Sequence, residues 1–174
     1  MNRKLTHEDI ISRQVLFSRQ PRVRLTVVLD NIRSLFNVGA IFRSADGVGV
    51  EKMFLCGITG YPPQGGIAKT ALGSQESVPW EYQKDAVKTV KALKDKGYEV
   101  IALEQTVNAI AYDEYASKCP VCLVVGNEES GVSDELMLLC DKSIEIKMMG
   151  IKSSLNVAVA FGVAAFSIRQ RIRM

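Results

Sequence analysis

Short apolar runs alternate along this chain with longer amphipathic ones. Residues 25–29 (LTVVL), 52–56 (KMFLC), 98–103 (YEVIAL) and 121–125 (VCLVV) are rich in β-branched and aliphatic side chains, and 143–147 (SIEIK) repeats the theme more weakly. Runs of this length without polar alternation read as strands buried on both faces. Between them lie helical patterns. Residues 6–18 place Ile10, Ile11, Val15 and Leu16 on one side, with Thr6 as N-cap and Pro21 as terminator. Residues 38–48 form a second helix. Residues 84–96 set Val87, Val90 and Leu93 at helical spacing and stop at Gly97, and 133–139 form a further short helix. The segments between are a Gly/Pro loop at 57–66, a polar stretch KTALGSQESVPWEY ending at Tyr82, and a loop or short helix at 108–118. Strand and helix alternate throughout, which predicts an α/β fold with a mainly parallel sheet.

The C-terminal end departs from this pattern. From Leu155 to Ile168 only Asn156 and Ser167 are polar, so the helix predicted here, capped by Ser153 or Ser154, is apolar nearly all round. About fourteen residues fall short of the roughly 20 that span a bilayer. Such a helix needs cover from its own domain and from a second subunit, which predicts a homodimer. Asn156 within it needs a partner, because an unpaired buried amide costs roughly 1–3 kcal/mol. It is either a satisfied packing amide or part of a polar-ligand site at a helix N-terminus.

Composition narrows the class. The chain has 174 residues, 47% of them apolar and 24% charged, enough for one domain with a proper core. Residues 1–24 are polar and basic with no apolar signal-peptide core, so a cytoplasmic protein without a membrane anchor is expected. Cys119 and Cys122 form a C-x-x-C, but Cys122 lies inside an apolar strand and neither a second pair nor a nearby histidine completes a site. Cys56 and Cys140 read likewise as structural thiols, and no metal is expected. His7 is the single histidine, in the polar N-terminal segment, which disfavours Ser-His-Asp and Cys-His mechanisms. Net charge is only +3, yet Arg3, Lys4, Arg13, Arg19, Arg22 and Arg24 crowd one end and Arg169, Arg171 and Arg173 the other. Brought together, the two ends would suit a polyanion; apart, they are solvated charge.

Ligands of open parallel sheets bind beyond the carboxyl ends of the strands. Three loops qualify, 30–37, 126–131 and 148–154. Neither a G-x-G-x-x-G after the first strand nor a G-x-x-x-x-G-K-[ST] is present, so dinucleotide and P-loop sites are not supported.

The same three loops carry a family resemblance. LDNIRSLFNVGAIFRSAD, containing Asn37, Gly39 and Arg43, then LVVGNEESGVSDEL from Leu123, then IKMMGIKSSLNVAVA from Ile146, resemble motifs one, two and three of the SpoU/TrmH family. That family consists of RNA ribose 2′-O-methyltransferases of the SPOUT class that use S-adenosyl-L-methionine. The resemblance spans about residues 25–168 and implies a methyltransferase domain over 25–174, preceded by a basic segment with a short helix at 1–24. It implies helices on both faces of the sheet, a C-terminal trefoil knot, which ordinary chain rules would exclude, and a homodimer through the last helix. By position, Arg43, Asn37, Glu128 and Asn156 are the implied catalytic set. Leu103, Leu123, Gly126, Ile146, Met148, Gly150, Ser154 and Leu155 are the implied cofactor-binding set. Lys69 and Ser74 fall on the RNA side, as in a subset of short bacterial members, with Arg22 and Arg24 in the basic segment.

Arg43 is the family's residue on the ribose hydroxyl. A guanidinium has a pKa above about 12 and is a poor base, which favours a phosphate anchor that stabilises the developing alkoxide over a general base. Helix-surface pairing with Asp46 or Glu128 is its purely structural alternative. Glu128 could otherwise complement a helix dipole, and Asn37 could cap the second helix. The chain departs from the family at Lys147, where proline is common, and at Glu129-Ser130, where glycine is frequent. The expected substrate is tRNA, with rRNA as runner-up. The competing readings are a non-catalytic RNA-binding module and a base methyltransferase of another SPOUT branch.

Overall fold

The structure, a computed structural model, describes residues 3–172. Seven parallel strands form one sheet: β1 (Val23–Asp30), β2 (Val50–Cys56), β3 (Trp80–Gln83), β4 (Glu99–Leu103), β5 (Ile110–Ala111), β6 (Val121–Val125) and β7 (Lys142–Glu145). Their spatial order is β3-β2-β1-β6-β4-β7-β5. The most apolar strand, β6, lies between β1 and β4 and is buried along its whole length. A central strand of a parallel sheet has no face left for water, so its sequence cannot alternate.

Helices cover both faces. Leu25, Val27 and Leu29 of β1 pack with α2 (Leu35–Val48), α3 (Gly65–Ala71) and α7 (Val157–Arg171) on one side. Val28, with Val100, Ala102, Cys122 and Val124, packs with α5 (Ala86–Asp95) and α6 (Asp134–Met137) on the other. Each fully buried Val or Leu contributes about 1.5–3 kcal/mol of apolar transfer energy. The four cysteines are free, and Cys56 and Cys122 are buried in the sheet. Burial pushes the Cys56 thiol up to about 12 and the Cys122 thiol upward as well, so both stay protonated.

Several elements differ from the sequence expectation. The end of the Gly/Pro loop and the polar stretch after it hold α3, the single turn α4 (Ser74–Ser77) and the edge strand β3. β3 is only half-buried and β5 has two residues, so neither shows a core pattern. Ser34, not Asn37, caps α2, its Oγ accepting the Asn37 N–H at 3.3 Å. α7 is capped by Asn156, not by Ser153 or Ser154: its Oδ1 accepts from Ala158 N at 3.0 Å and Val159 N at 3.3 Å. α7 is also not buried all round. Ala158, Phe161, Ala164, Ala165 and Ile168 face the core, whereas Val159 and Phe166 are 52% and 47% exposed.

α1 (His7–Ser18) begins with a capping box between Thr6 and Asp9, yet none of its residues is buried. The basic ends do approach each other. Arg22 donates to Val50 O at 3.2 Å and Ser77 O at 2.6 Å, and Arg169 donates to Val48 O. Both guanidiniums thus meet the α2–β2 turn, at the amino edge of the sheet. Arg173 lies outside the described residues.

Candidate active site

β1, β4, β6 and β7 end on one edge of the sheet, and the loops that leave them converge there. The loop after β6 doubles back tightly: Asn127 and Gly131 exchange backbone hydrogen bonds, each at 3.0 Å. A Cβ at Gly126 would lie 2.2 Å from the carbonyl carbon of Gly131, so no larger residue fits that return. Gly131 itself has φ +70, a conformation that favours glycine. Asn127 then ties the loop to β1, donating from Nδ2 to Asn31 O at 2.8 Å.

This loop delivers Glu128 to the N-terminus of α2. Its carboxylate accepts from Arg33 N at 2.9 Å, Ser34 N at 3.0 Å and Asn37 Nδ2 at 2.8 Å. Partial burial alone would raise its pKa, but those donors outweigh it and hold the carboxyl below its ordinary value. Asn37 continues the chain, because its Oδ1 accepts Asn156 Nδ2 at 3.0 Å. One hydrogen-bonded line therefore joins Glu128, Asn37 and Asn156, with the α2 and α7 N-termini at its two ends. Both amide orientations are set by their partners: Asn156 Oδ1 is occupied by the α7 cap and Asn37 Nδ2 by a carboxylate.

Arg43 lies on an exposed part of α2 and, among the described residues, forms no ion pair. Its two expected carboxylate partners are engaged elsewhere: Asp46 accepts from Ser77 Oγ at 2.6 Å, and Glu128 is bonded as above. Gly39, between Asn37 and Arg43, has a packing reason to be glycine. A Cβ there would lie 2.1 Å from Thr70 Oγ1 and 2.3 Å from Ile67 O, so its absence lets α3 seat against α2.

Beside this line lies a cavity of about 210 Å³. Of the residues expected to hold a cofactor, Leu103, Gly126, Ile146, Ser154 and Leu155 line it. Leu123 is fully buried within β6 and supports the sheet behind it. Met148 and Gly150 stand apart from the lining, in a loop whose Met149 and Ile151 are 97% and 103% exposed. Glu104, Gln105, Asn127 and Gly131 also line the cavity and were not anticipated. Their signal was available: Glu104 and Gln105 directly follow β4, at the carboxyl edge, and Asn127 and Gly131 sit within the second motif. Glu104 Oε2 accepts Val132 N at 3.1 Å, and Gln105 Nε2 donates to Ser153 O at 2.7 Å, so the β4 loop joins the loops before α6 and α7.

The remaining candidates scatter. Lys69 is exposed in the last turn of α3, and Arg24 is exposed near the start of β1. Ser74 is 7% exposed and its Oγ donates to Ala71 O at 2.7 Å, so it closes the α3–α4 turn and does not face outward. Arg22 is turned to the backbone carbonyls of the opposite sheet edge. Chemically, the cavity offers aliphatic walls for a flat apolar group and an acidic rim of Glu104, Glu128 and Glu129. Glu128 and Glu104 accept backbone N–H groups and Glu129 pairs with Arg33 at 2.5 Å, leaving a net negative charge that suits a cation.

Known proteins resemble this chain in sequence and in fold. A tRNA (guanosine(18)-2′-O)-methyltransferase of Thermus thermophilus is 35% identical over 92% of this chain and 81% of its own. The crystal structure of the Aquifex aeolicus TrmH/SpoU tRNA modifying enzyme superposes with a TM-score of 0.81 at 30% identity, covering 94% of this chain and 83% of that one. An AdoMet-bound rRNA methyltransferase from Sinorhizobium meliloti gives 0.80 at 27% identity, covering 89% of this chain and 59% of that one. The model of the SpoU rRNA Methylase family matches residues 24–166, and the chain belongs to that family.

Proposed function

We propose that this protein transfers a methyl group from S-adenosyl-L-methionine to a ribose 2′-hydroxyl of RNA, with tRNA as the favoured substrate. The observation that carries this reading is the line Glu128–Asn37–Asn156, which joins all three family motifs beside a cavity at the carboxyl edge of the sheet. The cavity fits the donor's chemistry: aliphatic side chains suit the adenine faces, carboxylates suit the cationic sulfonium and ammonium, and no Cβ at Gly126 crowds the loop. When bound, that cofactor supplies an electrophilic methyl group. The substrate's 2′-hydroxyl would accept that methyl group and give its proton to a phosphate oxygen or water.

In this reading Arg43 grips the phosphate beside the target ribose and stabilises negative charge developing on the 2′-oxygen. Asn37 and Asn156 hold the reacting edge in place, and Glu128 fixes Asn37. Leu103, Gly126, Ile146, Ser154 and Leu155 hold the donor, with the 147–152 loop, including Met148 and Gly150, at its margin. Lys69 and Arg24 contribute positive charge toward RNA.

Residues 25–174 act as the methyltransferase domain and 1–24 as a basic appendage. In the same proposal the C-terminal segment is threaded as a knot, a reading supported by the place of β7 between β4 and β5 and by the contact of Gln105, in the connection after β4, with Ser153 just before α7. Two copies pair through α7, whose Val159 and Phe166 are exposed apolar side chains, with Phe166 beside Gly47 of α2. Among the described residues no helix is long and apolar enough to cross a membrane, and the cytoplasm is the proposed location.

The test is incubation with methyl-labelled S-adenosyl-L-methionine and unmodified tRNA, followed by alkaline hydrolysis. A methylated 2′-oxygen cannot attack the adjacent phosphate, so the reading requires label in an alkali-resistant dinucleotide. Label confined to unmodified rRNA would move the substrate to rRNA. Donor and RNA binding without transfer to either would favour the binding module.

A further inference from the structure

α3 and the loop before it border a second cavity, of about 500 Å³, walled by Pro62, Pro63, Ile67 and Trp80, with Gln64, Gln75 and Glu76 as its polar lining. The aromatic groups here are held in place. Trp80 Nε1 donates to Gln75 O at 3.2 Å, and its ring meets Phe42 of the core edge to face, at 6.5 Å and 86°. Tyr61 lies 6.3 Å from Trp80 and 4.7 Å from Tyr82, tilted by 30° and 40°. The Tyr82 hydroxyl donates to Gly57 O at 3.0 Å. Tyr61 and Tyr82 nevertheless remain 43% and 38% exposed. Trp80 and Tyr82 are anchored by hydrogen bonds and Tyr61 by packing between them, and partly exposed rings held in this way bind a flat ligand at little entropic cost.

The cavity is tied to the active-site helix. Cβ atoms at Gly60 and Gly66 would lie 2.2 Å and 2.8 Å from Leu35 side-chain atoms, and Leu35 is the first residue of α2. Thr70 Oγ1, on α3, donates to Phe36 O at 2.9 Å, immediately before Asn37. One side of α3 thus packs on the helix that carries Asn37 and Arg43, while Ile67 of the same helix lines the cavity. Lys69 projects from the last turn of α3, exposed and cationic.

We propose that the Trp80 cavity and the Tyr61–Tyr82 pair beside it take an unpaired nucleobase of the RNA whose ribose is methylated, positioning the strand across α3. The inference rests on the RNA reading above. It assigns substrate grip to aromatic faces as well as to charge: every base has a π-face, so stacking is sequence-tolerant, while Gln64 Oε1 and Gln75 Nε2, whose amide partners Nε2 and Oε1 are bonded to Tyr61 O and Gly73 N, can read a base edge. Phosphates on either side of that base would pass Lys69 and Arg43.

Trp80 is the single tryptophan of the chain, so its emission reports on this cavity alone. Full-length protein is titrated with an unmodified tRNA transcript, with binding followed by anisotropy and Trp80 emission read in parallel; heparin serves as a polyanion without bases. The expected result is quenching by tRNA and none by heparin, with Tyr61→Ala raising KM about tenfold at unchanged kcat and Tyr61→Phe restoring it. RNA that binds and is methylated without changing Trp80 emission overturns the nucleobase proposal and leaves the methyltransferase reading intact. No RNA binding at all overturns both.

Discussion

Asn156 donates to Asn37 Oδ1 at 3.0 Å across 119 positions of sequence, while its own Oδ1 caps α7. One side chain therefore starts a helix and locks the third motif to the first. Asn37 in turn reaches Glu128, 91 positions away. Removing either amide should disturb both partners, so the Asn37→Ala and Asn156→Ala effects on stability should not add. A double-mutant cycle in urea is expected to show coupling of about 0.5–3 kcal/mol; strict additivity would mean that the line is not a unit.

The cap assignment separates two neighbouring residues. Asn156→Ala should cost about 1 kcal/mol through loss of the two N-terminal bonds of α7. Ser154→Ala, which removes no cap, should change stability by less than about 0.5 kcal/mol. Urea midpoints of the two variants, at constant m-value, decide between them.

Glu128 sets a pH limit. Its folded pKa is lowered because the donors from Arg33, Asn37 and Ser34 outweigh the opposing effect of burial. A lowered carboxylate pKa means that its stabilisation is complete above the unfolded value, about 4.3, and is lost as pH falls through the folded one. Urea midpoints measured against pH should show wild type falling toward the Glu128→Gln variant in that acid window, with the two curves parallel above it.

Gly126→Ala tests the tight return of the loop after β6. The new methyl would meet the backbone of Gly131 and Val132, which cannot yield as a flexible side chain would. The expected cost is about 1–3 kcal/mol of stability, accompanied by weaker binding of S-adenosyl-L-methionine in calorimetry, because Gly126 lines the cavity.

Much of this architecture was legible in the chain because burial dictates composition. β6 reads VCLVV because both its faces are covered, and β1 reads LTVVL for the same reason. The motifs placed Asn37, Glu128 and Asn156 in one site, but periodicity could not supply their mutual contacts, which are long-range. β3 and α3 were obscured by half-exposure and by the glycines and prolines around them. Asn156 was read as a buried amide because apolar residues follow it; the helix starts one residue later, leaving Asn156 exposed at its mouth. α7 looked buried on every side because Val159 and Phe166 belong to a surface that its own domain does not cover.

Among the described residues, Arg43 is the one member of the implied catalytic set that is not hydrogen-bonded into the Glu128–Asn37–Asn156 line, and its proposed role on the ribose hydroxyl is separable from donor binding. The most direct measurement compares wild type and Arg43→Ala for label in alkali-resistant dinucleotides of tRNA, with donor binding measured calorimetrically on both. Label is expected in wild type, with a loss of about a hundredfold or more in the variant and unchanged donor affinity. Equal transfer by the two proteins, or label released entirely as methylated base, would contradict it.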